Sequence, residues 1–137
     1  MSDQIKCRKA KFWLEDGVLF CEFILKECKN EFSEDFIEDY LNVIATLSDG
    51  RYFPLLIDLR QLNNNYAFSV VKILAKNPEL KLAILSKSFV VNSFLIQFVF
   101  NVLKMVQDPI IPNKIFRSYK SAVKYSLETN YIFNASY

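Results

Sequence analysis

The sequence predicts an α/β protein: a mixed sheet of four to five strands that opens with a β-hairpin and continues with alternating helices and strands. Three observations carry that prediction. Asp16-Gly17 separates two segments rich in aromatic and β-favouring residues. Short, continuously apolar runs follow, as expected of strands covered on both faces. Between those runs lie apolar stripes at helical spacing.

The opening pair is 9–14 (KAKFWL) and 18–25 (VLFCEFIL). Asp-Gly joins them as a tight turn, because glycine takes the positive-φ position at no steric cost. After the polar stretch 26–31, Ser33 can cap a helix whose first turn carries Glu34 and Asp35, and Phe32 and Ile37 are spaced for a hydrophobic staple. Phe36, Ile37, Tyr40, Leu41, Ile44 and Leu47 form its inner stripe. Ser48-Asp49-Gly50 ends it, with Gly50 expected in the left-handed position.

Residues 53–59 (FPLLIDL) read as a central strand and Asn63-Asn64-Asn65 as loop. Tyr66, Ala67, Val70, Val71, Leu74 and Ala75 give a second helix, stopped by Asn77-Pro78. Residues 80–85 read as another buried strand, and Ser86-Lys87-Ser88 as the lead into a long apolar helix at 89–106. Asp108-Pro109 and Pro112 break the chain, 114–117 is a last short strand, and a helix runs from about 118 to 128. This order, β-β-α-β-α-β-α-β-α, implies crossover connections and a largely parallel sheet after the hairpin. A chain of 137 residues suits one domain at 1–137, with its core at about 9–128 and a tail at 129–137 lacking a clear period.

Composition narrows the chemistry. Fifty-two per cent of the residues are hydrophobic, enough for a real core. There is no histidine, so histidine relays and histidine-containing zinc sites are excluded. Gly17 and Gly50 are the only glycines and lie far apart, which rules out glycine-rich phosphate loops. Cys7, Cys21 and Cys28 fit no metal-ligand spacing and suggest reduced thiols. No catalytic residues, metal or cofactor are expected. The net charge of +2 gives no reason to expect nucleic acid. The run Lys6, Arg8, Lys9, Lys11 beside Phe12 and Trp13 reads first as a charged edge strand that resists aggregation. No signal peptide or uninterrupted membrane-length segment is legible, so the expected location is the cytoplasm.

On a helical wheel, 89–106 shows one narrow polar face (Ser93, Gln97, Asn101, Lys104) and an apolar arc wider than packing on a sheet requires. Three readings follow: cover by neighbouring elements or the tail, a self-association or partner surface, or a pocket for an apolar ligand. Phe94, Phe98 and Val102 are the candidate residues for a homodimer contact or an apolar small-molecule site. Asp58, ending its strand, lies where open α/β sheets place ligands. Its plainer use is to accept backbone hydrogen bonds or pair with Arg60. Ser69 is either a modifiable docking switch or an ordinary helix serine. Ser86 and Ser88 around Lys87 either hold an anion or cap the next helix.

Trp13-Leu14-Glu15-Asp16-Gly17-Val18-Leu19, Pro54-Leu55-Leu56-Ile57-Asp58-Leu59-Arg60, Ala83-Ile84-Leu85-Ser86-Lys87-Ser88, and Lys114-Ile115-Phe116 with Ala122 together resemble the SpoIIAA-like, STAS-type family, in particular its small stand-alone bacterial branch. The resemblance covers about 13–128. It implies a mixed sheet of four or five strands with helices packed beside it. The better-known members are anti-sigma factor antagonists, switched by phosphorylation of a serine in an Asp-Ser-Ser-Gly motif at the start of the helix after the Asp-Leu strand. Here that stretch is Asn64-Asn65-Tyr66-Ala67-Phe68-Ser69, which lacks the motif and puts Phe68 at the switch position. The resemblance therefore implies a non-enzymatic regulatory or protein-interaction module without the phosphoswitch, with Asp58, Asn64, Asn65 and Ser69 as the partner surface. Other members are thought to bind lipids or other apolar molecules, which makes an apolar ligand beside 89–106 the alternative.

Overall fold

The computed structural model of the protein describes residues 4–24, 32–103 and 113–135. Cys28, the breaks at Asp108-Pro109 and Pro112, and residues 104–106 of the expected long helix lie outside the described residues. The sheet has six strands rather than four or five: β1 (Ile5–Cys7), β2 (Ala10–Glu15), β3 (Val18–Phe23), β4 (Leu55–Asp58), β5 (Lys87–Val90) and β6 (Asn113–Phe116). They lie side by side in chain order. The first three pair antiparallel, and β3 to β6 pair parallel.

The unexpected strand is β1. A two-residue turn, Arg8 (φ 44) and Lys9 (φ 73), folds it back on β2 with neither residue a glycine. The first helix, α1 (Ile37–Ser48), holds this turn. Tyr40 donates its hydroxyl hydrogen to the Arg8 carbonyl at 2.6 Å, and Arg8 Nε donates to Asp39 at 2.6 Å. The basic run lies on β1, its turn and β2; the edge strand is β1, and the strand read at 9–14 lies inside the sheet between β1 and β3. The β2–β3 turn is the expected one, with Asp16 and Gly17 both at positive φ.

Ser33 caps the next helical segment by accepting from the Asp35 N–H at 3.1 Å, and Phe32 and Ile37 are both buried. The left-handed residue after α1 is Asp49 (φ 48), one position before the glycine expected there. Gly50 follows, also at positive φ. α2 (Asn64–Lys76) starts earlier than its apolar stripe suggests. Asn63 caps it by accepting from the Tyr66 N–H at 2.8 Å, so Asn64 and Asn65 are its first residues and not loop.

The largest correction concerns 80–91. Residues 80–85 are not a strand. Leu80–Leu82 is a short turn of 3-10 helix, and the strand is Lys87–Val90, within the stretch read as loop and helix. Ser86, Lys87 and Ser88 are fully buried, and the next helix is capped by Ser93 and not by them. A lysine can occupy a central strand here because its ammonium group donates to the Leu74 and Ala75 carbonyls at the end of α2, each at 3.0 Å. Those carbonyls have no partner within their own helix. Phe89, Val90 and Val91 are therefore core residues. The third helix, α3 (Phe94–Leu103 among the described residues), starts beyond Ser93 and not at 89. The stretch 129–137 is not without period: α4 (Tyr119–Ala135) runs on through most of it.

Two layers cover the sheet. On one face Phe12, Leu19, Cys21, Leu55, Ile57 and Phe89 join residues of α1, α2 and α3 in the main core. On the other, the alternate residues Val18, Phe20, Leu56 and Val90 meet Ala122 of α4. This two-residue alternation, with both sets buried, explains why β3, β4 and β5 read as continuous apolar runs. No described helix is long and apolar enough to cross a membrane.

Candidate functional site

The parallel strands β4, β5 and β6 all point their C-terminal ends to one edge of the sheet, where α2, α3 and α4 begin. In open α/β sheets this edge is where ligands and partners bind. Each helix start is closed by a side chain. Besides Asn63 on α2, Ser93 accepts from the Ile96 N–H at 3.3 Å and Ser118 from the Ser121 N–H at 3.1 Å.

Asp58 sits at the tip of β4 and takes the plainer of its two roles. One carboxylate oxygen accepts from the Arg60 backbone N–H at 3.1 Å and from its Nε at 3.0 Å, and the other accepts from Nη2 at 2.9 Å. The fork geometry makes this a strong pair for its exposure. It pushes the Arg60 pKa up, chiefly through the side-chain hydrogen bond to Asp58. The Arg60 guanidinium also lies 4.5 Å over the Tyr119 ring. Burial, followed by the Asp58 charge, raises the Tyr119 phenol above its ordinary range. Asn92, just past β5, donates its side-chain N–H to the Arg60 carbonyl and ties the two loops of this edge together.

Asn64 and Asn65 are exposed at the start of α2. Ser69 is half-buried and is the sixth residue of the helix, counting from Asn64. The free N–H groups of a helix lie in its first four residues. A phosphate on Ser69 would stand beyond them, which removes the electrostatic benefit expected of a modification there. No hydrogen bond among the described residues joins Asp58 to Asn64, Asn65 or Ser69. The four share one edge without forming one cluster.

Phe94 and Phe98 do come together, with ring centroids 6.2 Å apart on successive turns of α3. Phe94, Leu95 and Phe98 remain 62%, 61% and 53% exposed. Ile96 is the buried anchor of this helix, and Gln97 donates from its side-chain amide to the Ile115 carbonyl of β6 at 3.1 Å. The Arg117 guanidinium lies 5.2 Å over the Phe94 ring. The side chain of Val102 lies outside the described ones. Sequence reasoning missed Arg117 and Tyr119, because their partners Phe94 and Arg60 belong to distant segments and no local spacing connects them.

At the opposite end of the sheet, an open hollow of about 700 Å³ is lined by Glu15, Asp16, Gly17, Arg51, Phe53 and Asn130, among others. Its charged residues are exposed and mixed in sign.

No curated protein and no solved structure matches the chain. A family model described as a domain of unknown function, DUF7793, matches residues 12–130, from within β2 to within α4. The match spans most of the sheet and both helical layers, and the chain belongs to the DUF7793 family.

Proposed function

We propose that the protein is a non-enzymatic interaction module of STAS type, bacterial and cytoplasmic, that engages a partner protein through the start of α2. The observation that carries this reading is the state of Asp58. Glu22, its register partner on β3, faces Lys11 at 3.4 Å, and Asp58 is the acid at the tip of β4 that a catalytic role would use. Its carboxylate is spent on a two-pronged pair with Arg60. What the same edge leaves to solvent is amide chemistry, on Asn64 and Asn65. Exposed amides held on a rigid helix start suit recognition by hydrogen bonding more than acid–base work. The hairpin followed by strand–helix alternation, with α4 alone on the second face, supports the STAS-type assignment. The shifted position of Ser69 supports a module without the phosphoswitch.

Photo-crosslinking tests the reading. A benzophenone side chain placed at Asn64 or Asn65, irradiated in the native host, is expected to give one recurrent protein adduct. The same probe at Lys120, on the outer side of α4, should not give it. Adducts that are absent, or equal from both places, would overturn the proposal.

A further inference from the structure

We propose that β1 exchanges between two copies of the chain: the Arg8-Lys9 turn opens, and the β1 of each copy pairs with the β2 of the other. This goes beyond the interaction reading, which uses the start of α2.

The turn is where the single chain is under strain. Arg8 (φ 44) and Lys9 (φ 73) both stand in the left-handed region, where Cβ crowds the following carbonyl oxygen. Two-residue hairpin turns with positive φ normally take asparagine, aspartate or glycine. Asp16-Gly17 shows that usual solution at the next turn of the same sheet. β1 itself is lightly held: Ile5 and Cys7 are half-buried and Lys6 is exposed. A short, strained connection between an edge strand and its neighbour is the arrangement that favours exchange.

The remaining contacts survive the exchange. The pairs Ile5↔Phe12, Lys6↔Lys11 and Cys7↔Ala10 form equally well with the β2 of a second copy. Extending that register across the opened turn sets Arg8 opposite Lys9 of the partner subunit. The two pairings are related by a two-fold axis, so the assembly closes at two chains. Only the hinge then decides the balance. The bond from the Ile24 N–H to the Lys9 carbonyl continues the β2–β3 ladder and is compatible with an extended Lys9. The Arg8–Asp39 pair is exposed and contributes little. The Tyr40 bond to the Arg8 carbonyl is the main loss, set against the release of two left-handed residues in each chain. Charge opposes the exchange, because Arg8 and Lys9 meet their counterparts across the axis, and salt screens that repulsion.

Refolding from urea at high protein concentration, followed by sedimentation velocity, tests the proposal. A dimer is expected whose share rises with protein and salt concentration. Lys9→Gly and Lys9→Val remove the same charge but act oppositely on the backbone, since glycine accepts positive φ and a β-branched residue resists it. The dimer dissociation constant should rise about tenfold or more in Lys9→Gly and fall by a similar factor in Lys9→Val. A disulfide identifies the exchanged strand. With Cys7→Ser and Cys28→Ser as background, Lys6→Cys and Lys11→Cys place two thiols on directly opposed residues; the two-residue turn makes theirs the closer, non-hydrogen-bonded pair. Oxidation should link two chains in the isolated dimer and close within one chain in the monomer, as read on a denaturing gel. Protein that refolds only as a monomer overturns the inference, as do equal dissociation constants in the two Lys9 variants. So does a dimer whose bridges all lie within single chains; that result assigns the contact to another surface, such as α3. Crosslinking from Asn64 and Asn65 is independent of these outcomes, so either proposal can fail alone.

Discussion

Gly17 shows how one residue joins two distant segments. Its φ of +76° disfavours a side chain, and a Cβ there would lie 2.3 Å from Asn130 Nδ2 on α4. Gly17→Ala should cost about 1–2 kcal/mol from the left-handed backbone alone, with a further loss from displacing the Asn130 amide. In an Asn130→Ala background only the backbone part should remain, and urea denaturation of the four variants measures the difference. Lys87 is the second such residue. Lys87→Met keeps the length of the side chain but strips the Leu74 carbonyl of its donor and leaves the Ala75 carbonyl with the longer bond from the Asn113 amide at 3.4 Å. Leaving buried acceptors unmet costs about 1–3 kcal/mol, and the denaturation midpoint should fall accordingly. Tyr119 links stability to pH. Burial raises its pKa, so the neutral phenol is favoured in the folded state. That contribution is complete below the unfolded phenol value of about pH 10 and disappears as pH rises through the folded value. Stability measured against pH should fall above that point, and less steeply in Tyr119→Phe.

At the scale of elements, the β1–β2 turn is the most strained connection. Both of its residues adopt positive φ without being glycine, and the Arg8–Asp39 pair that steadies it is exposed. Lys9→Gly removes a left-handed penalty of about 1–2 kcal/mol but loses the ammonium over the Phe36 ring and gains about 0.4–1 kcal/mol of unfolded-chain entropy, so the urea midpoint should rise by less than that penalty alone would give. The same turn explains why β1 was not legible. Arg-Lys carries no turn signature, and a three-residue strand carries no period. The opposite error occurred at 80–90. Leu80, Leu82, Ile84 and Leu85 have the composition of a strand, whereas Ser-Lys-Ser has the composition of a loop. The backbone reversed both because the lysine found acceptors at the end of α2, a tertiary contact that no local window contains. The elements that were legible, the Asp-Gly hairpin, α1 and the apolar run through Leu55–Asp58, are those whose signals are local. The site was legible in the same proportion. Phe94 and Phe98 could be named from their spacing, and Asp58 with its partner Arg60 from the strand end, but not Arg117 over Phe94 or Tyr119 beneath Arg60.

Across the whole molecule, the described α-helices divide three to one between the faces of the sheet. Alternating strands and helices implied crossovers, and crossovers between strands laid in chain order put α1, α2 and α3 on the same side. Nothing in the pattern placed α4 on the second face, where its buried residues include Ala122 and Ser126 while Leu127, Tyr131 and Ile132 stay exposed. Its small inner residues let it approach β4 and β5 closely, and its far end reaches the hairpin at Gly17. Because each strand adds beside its predecessor, a growing chain can assemble the sheet from one margin to the other as it is synthesised. The second face cannot be sealed that way. Val18 and Phe20 emerge early yet wait for α4 to arrive, so the nascent protein carries a bare apolar flank until α4 has been made, and its exposure to chaperones is concentrated in that interval.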